Sequence, residues 1–114
     1  MSFDHSGFSI ETDQQAERLV VRPCGELDLA TAPDLEDLVI GRLADGTPVV
    51  LDLRGLSFMD SSGVRVLVAA HARASDGGGD LTIVRPARGS AVDRILEVSG
   101  IDQALQLVDE PGLA

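Results

Sequence analysis

The stretch VVLDLRGLSFMDSSGVRVLVAA, Val49–Ala70, decides how this chain folds. It opens on Val49–Leu53, apolar on both faces apart from Asp52, the pattern of a central strand covered on both sides. It then crosses a short loop and becomes an amphipathic helix, with Val64, Leu67, Val68 and His71 along one buried stripe. The crossing is Asp60-Ser61-Ser62-Gly63, two hydroxyls beside a carboxylate where a strand ends and a helix begins. A helix N-terminus carries unpaired N–H groups and the positive end of the dipole. Small polar residues there serve as a cap, an anion site or a modification site. Two capping arrangements are open. Asp60 caps and leaves Ser61 in the first helical position with its hydroxyl outward, or Ser61 is itself the cap. Gly63, without a side chain, gives a docking partner room to approach.

Working outward from this stretch, the upstream chain reads as a hairpin and a helix. Phe8–Thr12 alternates, and Arg18–Cys24 is a second apolar strand close behind it. Pro23 has no N–H for a ladder bond, which predicts an edge position or a strand end. Thr31 stands as N-cap before a helix with Pro33 in its first turn and Leu35, Leu38, Val39 and Leu43 on its buried face. Asp45-Gly46 ends that helix. Downstream, Gly77-Gly78-Gly79 closes the second helix and Leu81–Val84 is a strand. Ser90 and Asp93 have capping-box spacing before Ala91, Val92, Ile95 and Leu96, and Gly100 suits the C′ position. Asp102–Ala104 reads as a turn, and Leu105–Val108 as a last short strand or an extension of that turn. The order β-β-α-β-α-β-α-(β) implies a mixed sheet with parallel crossovers. The expectation is one domain over residues 1–114, with 1–6 and 110–114 flexible.

Composition narrows the function. The chain has 114 residues, enough for one core without a staple, and its single cysteine, Cys24, reads as a small buried or half-buried strand residue. Nineteen acids face nine bases, all arginine, for a net charge of −10. Such a surface repels phosphate backbones and anionic lipid, and three Phe with no Trp or Tyr build no base-stacking platform. The expected partners therefore include no direct nucleic acid and no membrane. No apolar run reaches a membrane-spanning length and the N-terminus has no secretory pattern, so a cytoplasmic location is expected.

Enzymatic chemistry finds no constellation. A serine nucleophile needs a base within reach. His71 lies nine residues beyond Ser62, about 13 Å along a helix axis. The nucleophile-elbow pattern is absent, and Asp28, Asp52 and Asp60 read as capping or strand-end carboxylates. No catalytic residue, metal site or cofactor is expected.

The segment LSFMDSSGVRVLVAA (Leu56–Ala70) resembles the signature of the bacterial anti-sigma factor antagonists, founding members of the STAS domain family. GELDLATA (Gly25–Ala32) resembles that family's other signature, and VVLDL and VSGIDQALQLVDE (Val98–Glu110) fit its pattern, so the resemblance spans the chain. It implies an α/β fold: a single STAS-like domain, a mixed sheet of four to five strands with three or more helices packed on it. It implies an antagonist whose unphosphorylated form binds an anti-sigma factor with serine kinase activity and releases a sigma factor. Phosphorylation at Ser61, with Ser62 as the alternative acceptor, ends binding, and a PP2C-type phosphatase restores it. The implied partner-binding residues are Asp28, Thr31, Met59, Asp60, Ser61, Ser62 and Gly63. A different reading makes the chain a STAS subunit of a larger assembly, a transporter-associated component or a stressosome-like scaffold.

Overall fold

Strand β3, Arg18–Leu27, is the longest in the sheet and organises it. The computed structural model describes residues 2–5, 7–77 and 79–110. Antiparallel pairing runs from β1 (Ser2–His5) through β2 (Phe8–Gln15) to β3. After helix α1 (Ala32–Ala44), β4 (Val49–Asp52) returns parallel to β3. A 3-10 turn, Leu53–Gly55, separates β4 from β5 (Leu56–Met59), which is also parallel to β3. Helix α2 (Ser61–Gly77) leads to β6 (Leu81–Val84), parallel to β4. Helices α3 (Ala91–Val98) and α4 (Ile101–Ala104) precede β7 (Leu107–Val108), parallel to β6. The order is β1-β2-β3-β4-β6-β7, with β5 beside β3.

The mixed α/β architecture matches the reading of the sequence, with differences of local physical origin. The sheet has seven strands, not four to five. Leu56–Met59 falls in the stretch expected as a short loop, but it is a strand with Ser57 and Phe58 at its middle. Both are exposed while Leu56 and Met59 are buried, and the segment pairs with the far half of β3. The flexible tail expected over 1–6 is not what Ser2–His5 form, since they pair with β2. The expected flexibility of 110–114 falls, from residue 111 onward, outside the described residues.

Pro23 sits inside the sheet rather than at an edge or strand end. β3 pairs with β4 at residues 19–21 and with β5 at 25–27. The Leu19 N–H donates to Pro48 on the β4 side, so alternation aims the nitrogen of residue 23 the same way. There it faces the gap filled by the 3-10 turn, and no ladder bond is lost.

Helices α1 and α2 lie side by side over one face of the sheet, and α3 packs against β5. Helix α1 buries Ala32, Leu35, Val39 and Leu43, close to its expected stripe. Helix α2 is rotated from expectation: Gly63, Val66, Leu67 and Ala70 are buried, whereas Val68 is 48% exposed and His71 is exposed. The rotation follows from close seating at Gly63. A Cβ there would stand 2.5 Å from Met59 Cγ and 2.9 Å from Leu27 Cδ2, so the smallest residue faces the core and fixes the phase.

The opposite face carries a smaller apolar cluster, Val20, Val50 and Val84, beside a buried carboxylate. Asp52 is fully buried and capped by arginine. Arg54 binds it through Nε (3.0 Å), Nη2 (2.8 Å) and its backbone N–H (3.0 Å), and Arg22 through Nε (3.2 Å). Burial pushes its pKa up, but the Arg54 and Arg22 hydrogen bonds outweigh burial and hold the carboxyl below its ordinary range. Asp93 is likewise held low, by the Gly89 N–H and then by Arg85. Its carboxylate therefore departs from a capping box, although Ser90 Oγ does accept from the Asp93 N–H at 3.2 Å.

Candidate functional site

Two loops leave the sheet together. Leu27 pairs with Met59 across β3 and β5, strands spaced about 4.8 Å apart, and the Asp60 N–H donates to the Leu27 carbonyl at 3.2 Å. Asp28 and Asp60 are thus the first residues beyond neighbouring strand ends. Each opens a loop that enters a helix.

In the first loop the Asp28 carboxylate accepts from the N–H groups of Ala30 (3.0 Å) and Thr31 (3.2 Å). The Asp28 N–H in turn donates to Thr31 Oγ1 at 2.9 Å, and that hydroxyl donates to the Glu26 carbonyl at 3.0 Å. Thr31 occupies the N-cap position of α1 as expected, but its side chain makes no capping bond. It is buried and ties the loop back to β3, because the Asp28 turn directs its hydroxyl inward. Leu29, at the tip, is 77% exposed.

In the second loop Asp60 is the cap. Its carboxylate accepts from the Ser62 N–H at 2.8 Å, and its carbonyl accepts from Gly63 (3.0 Å) and Val64 (3.3 Å). Of the two capping arrangements the structure takes this one, and Ser61 is the first helical residue. Ser61 is exposed, and among the described residues its hydroxyl has no hydrogen-bond partner. Ser62 is half-buried.

Thr31, an expected contact residue, is thus buried, and two more of the expected contact residues stand differently. Met59 is 1% exposed and Gly63 is buried against it. Both shape the surface from beneath rather than offer atoms to a partner. Gly63 gives clearance to the protein's own core, because its missing side chain points at Leu27 and Met59.

Beside Ser62 a shallow groove of about 230 Å³ runs between the N-terminal turns of α1 and α2. Leu29, Ala32, Pro33, Glu36, Asp37 and Arg65 complete its lining. The sequence reading did not single out Leu29, Glu36, Asp37 or Arg65. A bulky apolar residue in an otherwise small and polar loop marks Leu29. Arg65 is marked by standing one helical turn after Ser61.

A family model described as Mlab, STAS domain matches residues 10–109. This chain belongs to the STAS domain family. Among the relatives of this STAS domain is an anti-sigma F factor antagonist of Paenibacillus polymyxa, 30% identical over 106 residues that cover 88% of this chain and 86% of that one. The anti-sigma-B factor antagonist of Staphylococcus aureus (strain NCTC 8325 / PS 47) is 28% identical over 100 residues, 87% of this chain and 91% of its own. A crystal structure of an anti-sigma factor antagonist from Mycobacterium paratuberculosis superposes with a TM-score of 0.77 at 29% identity, covering 90% of this STAS domain and 86% of that chain. Its homologues are thus anti-sigma factor antagonists, and the surface at Asp60–Gly63 is presented on their fold. Among the described residues no helix is long and apolar enough to cross a membrane.

Proposed function

We propose that this STAS domain is a cytoplasmic partner-switching antagonist. Unphosphorylated, it binds an anti-sigma factor with serine kinase activity and frees a sigma factor. Phosphorylation of Ser61 by that partner ends binding, and a PP2C-type phosphatase restores it. The observation that carries the reading is Ser61 itself, an exposed, unengaged hydroxyl in the first position of α2. The capping bonds belong to Asp60, so a phosphate on Ser61 breaks none of them. Its sequence neighbours Asp60 and Ser62, the groove that Ser62 shares with Leu29, and Asp28 on the adjoining loop form the proposed footprint.

The magnitude of the switch bears on where Ser61 must lie. A phosphate adds about −1.5 to −2 charges. At ~5 Å from one partner carboxylate the repulsion is about 1.5 kcal/mol in water and about 6 kcal/mol at an effective dielectric near 20. Turning a mostly bound partner into a mostly free one takes roughly 5.5 kcal/mol. Ser61 therefore belongs inside the closed interface, where repulsion and steric block act without refolding the chain.

The test is incubation with the cell's candidate anti-sigma kinases and ATP, followed by mass spectrometry. Phosphate is expected on Ser61. Its absence from both Ser61 and Ser62 with every candidate overturns the reading. In pull-downs Ser61→Ala retains the anti-sigma factor and Ser61→Asp loses it; equal binding removes phosphorylation as the switch.

The description of the matched family model, which names Mlab rather than a sigma-factor regulator, favours a second reading. In it the chain is a STAS subunit of a larger transporter-associated or stressosome-like assembly. Stable co-purification with such an assembly, unchanged by Ser61→Asp, would select it.

A further inference from the structure

We infer that Arg65 is the in-chain partner of a phosphate on Ser61, an inference that rests on Ser61 being the modified residue. The two residues are four apart on α2, one turn up the same face, about 6 Å along the axis. At 100° per residue, Arg65 projects at an angle between Ser61 and Ser62, 40° past the first and 60° short of the second. Side chains on a helix lean toward its N-terminus, so the long Arg65 stem can carry its guanidinium back toward Ser61.

The cation is available. Arg65 is exposed, and among the described residues it has no ion pair or hydrogen bond. It lines the groove beside Ser62, where the facing charged groups on α1 are both acidic, Glu36 and Asp37. The other charges nearby are also acidic: Asp60 at the cap and Asp28 on the adjoining loop, each bound to backbone N–H groups. The Ser62, Gly63 and Val64 N–H groups are already taken by Asp60. A phosphate on Ser61 thus meets fixed negative charge and, apart from the N–H of Ser61 itself, donors of the first turn that are already occupied. Arg65 supplies the compensation, with a forked guanidinium suited to phosphate oxygens.

The pairing gives phosphorylation a second effect. Before modification Arg65 is a free cation at the rim of the groove, available to an acidic group on the partner. Afterwards it is drawn to the phosphate. One event thus adds negative charge at Ser61 and withdraws positive charge from the rim.

The experiment does not depend on any kinase or anti-sigma factor. Phosphoserine is installed at position 61 of the full chain by genetic-code expansion, and the second phosphate pKa is read by 31P NMR titration. The Arg65→Gln chain is expected to titrate about half a unit higher than the wild type. Arg65→Lys should recover part of the difference, and the Arg65 Nε–H resonance should move on phosphorylation of the wild type. Equal phosphate pKa values in wild type and Arg65→Gln overturn the pairing. If the pairing holds but no kinase modifies Ser61, the proposed switch fails and the pairing stands. The converse outcome leaves the switch without its Arg65 component.

Discussion

The loops β3–α1 and β5–α2 are built from nearly the same parts and end differently. Each begins on an aspartate just beyond neighbouring strand ends, and each aspartate accepts from the N–H two residues on, Ala30 in one loop and Ser62 in the other. Each carries a hydroxyl at the entrance to its helix. Thr31 is buried, accepts from the Asp28 N–H and donates to the Glu26 carbonyl. Ser61 is exposed with no partner among the described residues. The same local chemistry makes one hydroxyl a structural pin and leaves the other open to reaction. Burial and prior hydrogen bonding separate them.

Five substitutions probe that difference, the largest effect first. Gly63→Val would drive a side chain into Met59 and Leu27, which seat the second loop. Overpacking of that kind costs ~3 kcal/mol, read as a lowered denaturation midpoint. An unchanged midpoint would mean that α2 shifts freely, and the rigid presentation of Ser61 would fall with it.

Asp52→Asn asks whether a carboxylate is pinned as firmly as Thr31. The loss should be about 2 kcal/mol, since the charged hydrogen bonds to Arg54 and Arg22 weaken. The wild type also carries a pH signature. The folded pKa of Asp52 is depressed, so its contribution is complete above the unfolded value near 3.9 and disappears as pH falls through the folded value. Acid titration of stability should be shallower in Asp52→Asn. Asp93, also depressed, maintains the remaining slope.

Thr31→Val should cost about 1.5 kcal/mol, because the Asp28 N–H and the Glu26 carbonyl lose their buried partner. Asp60→Ala removes a helix cap worth about 1 kcal/mol. Ser61→Ala should change stability by less than about 0.5 kcal/mol, measured by the same denaturation. A larger loss there would show that Ser61 is a second pin and erase the contrast between the loops.

Legibility in the sequence followed the range of the interactions. The helix starts near Asp60, Thr31 and Ser90 and the stop at Gly100 depend on neighbours a few residues away and were read correctly in position, with Asp60 one of two caps left open. The stripe of α2 was misplaced toward Val68 and His71. Its phase depends on Leu27, far upstream, against which Gly63 packs. β5 was missed because two of its four residues face solvent, and only the bulged far half of β3 makes it a strand. Leu29 and Arg65 were overlooked because each is ordinary until α1 and α2 bring them to one groove.

By itself the sequence determined the alternation of the main strands and helices, though not β1 or β5, the family, and the placing of an acid, two hydroxyls and a glycine at the turn into α2. Periodicity, capping and turn preference act over one or two turns of chain, and they are written there. Tertiary structure decided which hydroxyl stays free, which way Gly63 faces, and that Asp52 is held by an arginine 30 residues upstream as well as by its neighbour Arg54. Those outcomes depend on close packing between segments distant in sequence, where a fraction of an ångström separates contact from collision.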